Sequence, residues 1–302
     1  MGTESSSPID PALRIASVRL AVGELSRSVD FYGRVLGLPL ISLDPDQALL
    51  GPVRSRPALV LTGVERPEPI PPGSTGLFHV AWLHPSRAAL AASVRRIAHS
   101  RWPIDGAADH GVSEALYLSD PDGLGIEIYS DRPRERWDRP ADGHGVKMVT
   151  LPLDLDDLLA QAGTELTPTV PADTAIGHVH LKVSDVPRSA TFYRDALGFE
   201  EQAMLPSAAF LSAGGYHHHV GMNSWHSRAG GAPPDNAPGL RGVEFELAHE
   251  DALRALKLRW AETQAEAETG GDSSPAHETD GRLTLRDPDG HALGFSDVSA
   301  RS

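Results

Sequence analysis

One stretch of the chain, HGVSEALYLSDPDGLGIE, brings a histidine, a tyrosine and a carboxylate together around an Asp-Pro-Asp-Gly turn. These residues are His110, Tyr117 and Glu127. Two more histidines lie on apolar runs, His79 in GLFHVAWL and His178 in IGHVHLKV. Two imidazoles and one carboxylate on strands are the usual ligands of a mononuclear non-haem Fe(II), which keeps positions open for substrate and O2. The pattern therefore indicates metal-dependent chemistry.

The composition narrows the class of protein. With 302 residues, 40% of them hydrophobic and 23% charged, the chain can form one large core or two ordinary cores. The 27 basic and 41 acidic residues give a net charge of −14, which argues against nucleic acid as a partner, because phosphate binding needs clustered Lys and Arg. We see neither a signal peptide nor an apolar run of about 18 residues, so we expect a cytoplasmic protein that does not bind membranes. Cysteine is absent, which excludes disulfides and thiolate chemistry.

The chain repeats itself. The runs IASVRLAV, from Ile15, and IGHVHLKV, from Ile176, are both followed at one constant offset by the pairs FY and LG. Each run alternates as a strand does, and a helix follows. In the second copy Asp185 precedes Pro187 at a typical helix start, and Gly198 reads as the residue that ends the helix.

A looser repeat pairs GLFHVAWL with GLRGVEFEL, and both copies close on Asp-Pro-Asp-Gly. We therefore predict an α+β fold of four strand-helix-strand-strand-strand modules, whose curved, mostly antiparallel sheets form two cups with helices on the outer faces. The acidic stretch AETQAEAETGGDSSPAHETDG is interpreted as a solvated loop in the last module. The predicted modules cover residues 14–65, 74–131, 174–226 and 237–299, with a linker over 132–173 that contains a short helix near DLDDLLAQAG.

These residues resemble the vicinal-oxygen-chelate superfamily of glyoxalases, bleomycin-resistance proteins and extradiol dioxygenases. Within it the chain looks like a two-domain ring-cleavage enzyme of the catechol 2,3-dioxygenase type, over about residues 14 to 298. The stretch from His110 to Glu127 matches that family's signature. Ala108 departs from it, because the signature has glycine or one of a defined set of other residue types at that position, and alanine is not preferred there.

The resemblance implies a role for each matching residue. His79, Glu127 and His178 match the metal ligands, and His110 and Tyr117 match the pair that holds the substrate hydroxyl or bound oxygen. His180 is a rival to His178, since both point to one face of a strand.

The run Tyr216-His217-His218-His219 contains a match to the acid-base residue of the family. The alignment favours His218, while His217 and His219 stay open because a slip of one residue reverses the face. Three further residues are interpreted more simply: His277 as vestigial, and Asn223 and Trp225 as pocket lining.

The same alignment shows ligands missing from two modules. Ser17 stands opposite His178, Gly242 opposite His79 and Gly294 opposite Glu127. We therefore expect the first and fourth modules to be scaffold, and the second and third to pair as the single active cup.

The resemblance implies an extradiol dioxygenase that opens catechol-type substrates with O2 at Fe(II), with Mn(II) as a possible substitute, in aromatic hydrocarbon catabolism. A homo-oligomer is expected. One alternative is a glyoxalase-type isomerase or thiol transferase, which takes a fourth protein ligand such as His219. Another is a ligand-sequestering protein without catalysis, which needs no metal ligands.

Overall fold

The computed structural model describes residues 8–53, 56–141, 143–268, 276–279 and 281–298. Strands of the first half are β1 (Arg14–Val22), β2 (Leu40–Leu43), β3 (Gln47–Leu50), β4 (Leu59–Gly63), β5 (Gly76–Leu83), β6 (Gly106–Asp109), β7 (Ser113–Ser119) and β8 (Gly125–Asp131). Those of the second half are β9 (Ala175–Lys182), β10 (Glu200–Leu205), β11 (Ala208–Ser212), β12 (Val220–Asn223), β13 (Gly239–Leu247), β14 (His277–Thr279), β15 (Arg282–Arg286) and β16 (Ala292–Asp297).

The helices are fewer, and two of them change type part-way. They are α1 (Leu25–Asp30), continued by a π-helical turn (Phe31–Val35), α2 (Arg87–Ser100), α3 (Leu155–Ala160), α4 (Val186–Thr191), continued by a π-helical turn (Phe192–Ala196), and α5 (Glu250–Glu268). A 3₁₀ turn covers Arg134–Arg136. In the described part of the chain, no helix combines the length and apolar character needed to cross a bilayer.

The strands form two eight-stranded sheets. One has the order β14-β15-β16-β13-β1-β4-β3-β2, and the other has the order β10-β11-β12-β9-β5-β8-β7-β6. The second sheet thus joins strands of the predicted second and third modules through the antiparallel pair β5 and β9. The predicted α+β fold of strand-helix-strand-strand-strand modules is confirmed.

Each central strand divides its side chains between a hydrophobic core and the concave face of the sheet. On β9, Val179 and Leu181 belong to the core, whereas His178 and His180 point to the other face. This alternation follows from the two-residue period of a strand. The core therefore anchors the strand while the imidazoles stay available for the site.

Strand β5 breaks this alternation. Leu77 and Val80 lie in the core, and the consecutive residues Phe78 and His79 both line the concave face. The pairing with β9 shifts register between Leu77 and His79, as in a β-bulge. Bulges redirect side chains next to functional sites, and this one turns His79 into the cup.

The predicted helix start at Asp185 is confirmed, because its side chain accepts the Arg188 N–H at 2.9 Å. Gly198 ends this helical segment with a φ of 83°, a left-handed conformation that glycine adopts without strain.

The interpretation of the acidic stretch as a loop is wrong in its first part. Helix α5 continues to Glu268, since Ala, Glu and Gln are strong helix formers; residues 269–275 and 280 lie outside the described residues.

Gly125 gives the first testable prediction. It pairs with His79 across β5 and β8, and a Cβ added there would lie 2.0 Å from the carbonyl oxygen of Phe78. Gly125→Ala should therefore push the two strands apart and lower the free energy of unfolding by about 1–3 kcal/mol. Urea denaturation followed by tryptophan fluorescence measures this change. Gly106→Ala is the matched control, because its added Cβ meets open space; equal losses in both variants would contradict the steric argument.

The next prediction concerns His84 and the dependence of folding stability on pH. His84 joins β5 to α2: its Nδ1 donates to the Trp82 carbonyl at 3.2 Å, and its Nε2 accepts from the Ser93 hydroxyl at 2.8 Å. Burial lowers the pKa of His84 to about 4, below the usual value of 6.5. The unfolded chain then takes up the proton first, so stability should fall as the pH drops from about 6.5 toward 4, by about 2 kcal/mol between pH 7 and pH 5.

Comparison with His84→Asn isolates this effect, because all other titrating groups are common to both proteins. Denaturation at pH 7 and pH 5 should show a steeper loss in the wild type. Parallel losses would argue against a neutral buried His84.

Candidate metal centre

Three side chains meet at one point of the concave face. The Nε2 atom of His79 lies 3.0 Å from Glu127 Oε2, and the Nε2 atom of His178 lies 3.2 Å from the same oxygen. The two Nε2 atoms are 3.3 Å apart. All three residues are buried.

The strand register explains this convergence. Ala81 of β5 pairs with Glu127 of β8 on one side and with His178 of β9 on the other. Since neighbouring strands are about 4.8 Å apart, the two flanking side chains have to lean together over the middle residue. The methyl group of Ala81 leaves room for this, and His79 reaches the same point from further along the middle strand.

The protonation states suit metal ligands. Burial by itself raises the pKa of Glu127, but the His178 and His79 imidazoles outweigh it and hold that pKa well below its usual range. Burial lowers the pKa of His178 to about 4. The carboxylate is thus ionised and His178 neutral near pH 7, which are the forms that bind metal ions.

The geometry of the three donor atoms suits coordination of one cation better than hydrogen bonding among the three atoms. Two imidazole nitrogens and a carboxylate oxygen are in mutual contact, and a proton on one nitrogen cannot serve all three contacts. Donors on adjacent corners of an octahedron with bonds of about 2.1 Å lie about 3 Å apart, as these do.

His110 and Tyr117 form a pair beside this point. His110 Nε2 lies 2.6 Å from the Tyr117 hydroxyl, and His110 Nδ1 lies 2.8 Å from the Val149 carbonyl. Because a carbonyl only accepts, Nδ1 carries the proton and, in the neutral ring, Nε2 accepts from Tyr117. Burial, and then the charge of Glu127, raises the pKa of Tyr117, so its hydroxyl stays protonated.

The three consecutive histidines take three different positions. Only His218 lines the cavity above the triad, with its ring centroid 4.0 Å from that of His178. His217 lies behind it and contacts Asp131. His219 accepts the Ala213 N–H at 3.1 Å through Nδ1, and it does not line the cavity.

The cavity has a volume of about 440 Å³. Apolar side chains form most of its wall, including Phe78, Phe210, Trp225, Leu205 and Met148. Three cavity residues, Met148, Val149 and Thr150, belong to the segment that we predicted to be a linker. Backbone hydrogen bonds between Asp109 and Leu151 hold this segment against β6, so it is part of the site.

The structure also gives the positions of the other residues that the sequence analysis named. Trp225 lines the cavity, whereas Asn223 does not. His180 lines the cavity and contacts the His79 ring, but it is not one of the three converging donors. His277 is exposed on β14, at the edge of the other sheet. Ala108, the departure from the family signature, is buried in the cavity wall.

The other sheet holds a different cluster at the equivalent place. Glu244 occupies the position of Ala81, between Ser17 and Gly294. Its carboxylate pairs with Arg282 and lies 3.5 Å from Arg19.

The two glycines at ligand positions of this sheet make room for the ion pairs. A Cβ on Gly294 would lie 2.0 Å from Glu244 Oε2, and one on Gly242 would lie 2.4 Å from the Arg19 guanidinium. Charged side chains therefore fill this place instead of metal ligands.

The comparisons with known proteins agree with this architecture. A family model described as the Glyoxalase/Bleomycin resistance protein/Dioxygenase superfamily matches residues 14–128 and 175–295. The catechol-2,3-dioxygenase of Bacillus subtilis (strain 168) is 42% identical over 248 residues, which are 81% of this chain and 86% of that protein.

Two solved structures share the fold. A proposed dioxygenase from Bacillus subtilis subsp. subtilis str. 168 aligns over 97% of this chain and 86% of its own, with a TM-score of 0.60 and 15% identity. Glyoxalase I from Zea mays aligns over 96% and 94%, with a TM-score of 0.56 and 18% identity.

The chain therefore belongs to the glyoxalase, bleomycin-resistance protein and dioxygenase superfamily, as the sequence motifs indicated. Within that superfamily it is an enzyme similar to catechol 2,3-dioxygenase.

A pair of variants tests which histidine of β9 is the ligand. His178→Ala should abolish the binding of one equivalent of Fe(II) or Co(II), because it removes a converging donor. His180→Ala is the matched control on the same face and should change the affinity by no more than about tenfold. Metal content after anaerobic loading and desalting measures both. Loss of metal in the His180 variant alone would reverse the assignment.

Proposed function

We propose that this protein is an extradiol ring-cleaving dioxygenase that opens a catechol with O2 at one Fe(II) held by His79, His178 and Glu127. The observation that carries the proposal is the convergence of these three donors at the floor of a ring-sized cavity. When bound there, Fe(II) would hold both vicinal oxygens of the catechol and O2 in contact and let electrons pass between them. Mn(II) is a possible substitute because the donor set also suits it.

His218 is the proposed acid-base residue. It stands over the triad in the cavity wall, where a hydroxyl of a bound catechol comes within reach. A neutral imidazole can accept the hydroxyl proton and return it later in the reaction. Its neighbours His217 and His219 are less suited, since their side chains lie outside the cavity.

His110 and Tyr117 are proposed to orient the substrate. In the neutral pair the Tyr117 proton is donated to His110, which leaves lone pairs of the Tyr117 oxygen free to accept from a substrate hydroxyl. Val149 holds the His110 ring in place through its carbonyl. Positioning of this kind uses binding energy to raise the reaction rate, because the reacting groups are held in one geometry.

The cavity supports an aromatic substrate. Its volume of about 440 Å³ is within the range of small-molecule sites, roughly 300–1,000 Å³. Phe78, Phe210 and Trp225 offer ring faces and edges against which a flat apolar ring packs well. These walls also exclude water from the reacting atoms.

The alternative metal enzymes have less support. A glyoxalase-type isomerase or thiol transferase would need a fourth protein ligand, and His219, the expected donor, hydrogen-bonds to the Ala213 backbone instead. A sequestering protein would not need the three buried donors. Both alternatives therefore rank below the dioxygenase.

The test is anaerobic loading with Fe(II), followed by catechol and air. Oxygen uptake together with a yellow ring-opened product is the expected result. Glu127→Gln should lose iron and both signals, because the buried donor set then lacks its charged member. Oxygen electrode traces, product absorbance and iron content are the measurements.

Glu246→Gln provides the matched control for this test. Glu246 is a buried carboxylate in the other sheet, paired with Arg14. This variant should keep iron and activity. Stoichiometric iron without oxygen uptake, across several substituted catechols, would refute the dioxygenase proposal, and a fully active Glu127 variant would refute the ligand assignment.

A further inference from the structure

Two residues behind His218 have no part in the function proposed so far. His217 is buried, with 1% of its surface exposed, and its Nδ1 lies 2.9 Å from Nδ1 of His218. Its other nitrogen, Nε2, lies 3.0 Å from Oδ1 of Asp131. The Asp131 side chain is 25% exposed at the end of β8. A chain of two hydrogen bonds thus connects a carboxylate near the surface to the proposed base in the cavity.

This chain dictates where the protons lie. An ionised carboxylate only accepts, so His217 Nε2 carries a proton and donates it to Asp131. In the neutral form of His217, which has one N–H, Nδ1 therefore accepts. The donor in the contact of 2.9 Å is then Nδ1 of His218, which leaves Nε2 of His218 with a lone pair.

Aromatic rings hold His217 in the orientation that this chain requires. The Tyr216 ring packs 4.1 Å from it and the Trp137 ring 5.4 Å from it, between centroids. Tyr216 is itself fixed by a hydrogen bond of 2.7 Å between its hydroxyl and that of Tyr129. A ring so enclosed cannot turn over without displacing its neighbours.

We propose that Asp131 and His217 are positioning residues that set His218 in the tautomer whose Nε2 accepts a proton from the substrate. This inference rests on the proposed function, in which His218 is the base. Asp131 and His217 do not touch the substrate; they act through His218, and the carboxylate also stabilises the positive charge that His218 acquires with the proton. The arrangement follows the logic of a base oriented by a carboxylate, with one imidazole inserted between them.

A rival interpretation comes from the same residues. One nitrogen of each of His178, His217 and His218 lies within 4.8 Å of the other two, so these rings could hold a second metal ion. The contact of 2.9 Å between His217 and His218 fits a shared proton. Metal stoichiometry separates the two interpretations.

The first experiment reads the tautomer directly. Nitrogen NMR of the metal-free protein labelled with ¹⁵N-histidine, with His218→Gln used for assignment, should show Nδ1 of His218 protonated and Nε2 bare. In Asp131→Ala this preference should be lost. Protonated Nε2 in the wild type, or an unchanged tautomer in the variant, would overturn the proposal.

The second experiment uses the iron-loaded enzyme. Asp131→Ala should lower kcat for catechol about tenfold to a hundredfold, with KM and the iron content of one per chain nearly unchanged. Asp105→Ala is the matched control, because that carboxylate is exposed and binds Ser119, away from the cavity. An unchanged kcat, or the loss of a second metal equivalent, would overturn the proposal.

The two experiments keep the hypotheses apart. A wild type that cleaves no catechol counts against the proposed function. The tautomer of His218 and its dependence on Asp131 are measured without metal or substrate, and they decide the positioning role by themselves.

Discussion

The antiparallel pairing of β5 with β9 is the constraint on which the site depends. It joins parts of the chain far apart in sequence, and it sets Ala81 directly between Glu127 and His178. With the strand spacing of about 4.8 Å, no other register would bring these two side chains over the same residue. The convergence of the three donors is therefore a consequence of sheet pairing, and the hydrophobic faces of the same strands stabilise that pairing.

The contrast between the two sheets shows how little has to change for one fold to hold a site or to lose it. Ala81 leaves space that three donors share, whereas Glu244 at the equivalent position fills the space with its own ion pairs. The glycines at two ligand positions of that sheet accommodate those charged groups. Three potential metal donors thus converge in one sheet, and an ion-pair cluster occupies the equivalent place in the other.

The other functional groups of the site are arranged around the three donors. His218 and the pair of His110 and Tyr117 line the same cavity as the three donors. Behind His218, the hydrogen bonds through His217 end at Asp131, where charge is partly solvated. Burial lowers the pKa of His178 to about 4, so this imidazole is neutral near pH 7, and the ionised Glu127 beside it is the group that attracts a cation.

The amino-acid sequence by itself determined the repeat, the module type and the identity of the three donors that meet. Local patterns suffice for these because strand alternation, helix caps and a signature segment are encoded by neighbouring residues. The sequence also contained the reason why one sheet has no triad, since Ser17, Gly242 and Gly294 are visible in the alignment.

Only the tertiary structure decided the rest. The bulge that turns both Phe78 and His79 to one face breaks the two-residue period, so alternation could not foresee it. The position of the linker in the cavity wall depends on contacts such as that between the Val149 carbonyl and His110. The different directions of the three successive histidines depend on contacts such as that between His217 and Asp131. Such contacts form only when segments that are far apart in sequence pack together, so local sequence patterns do not predict them.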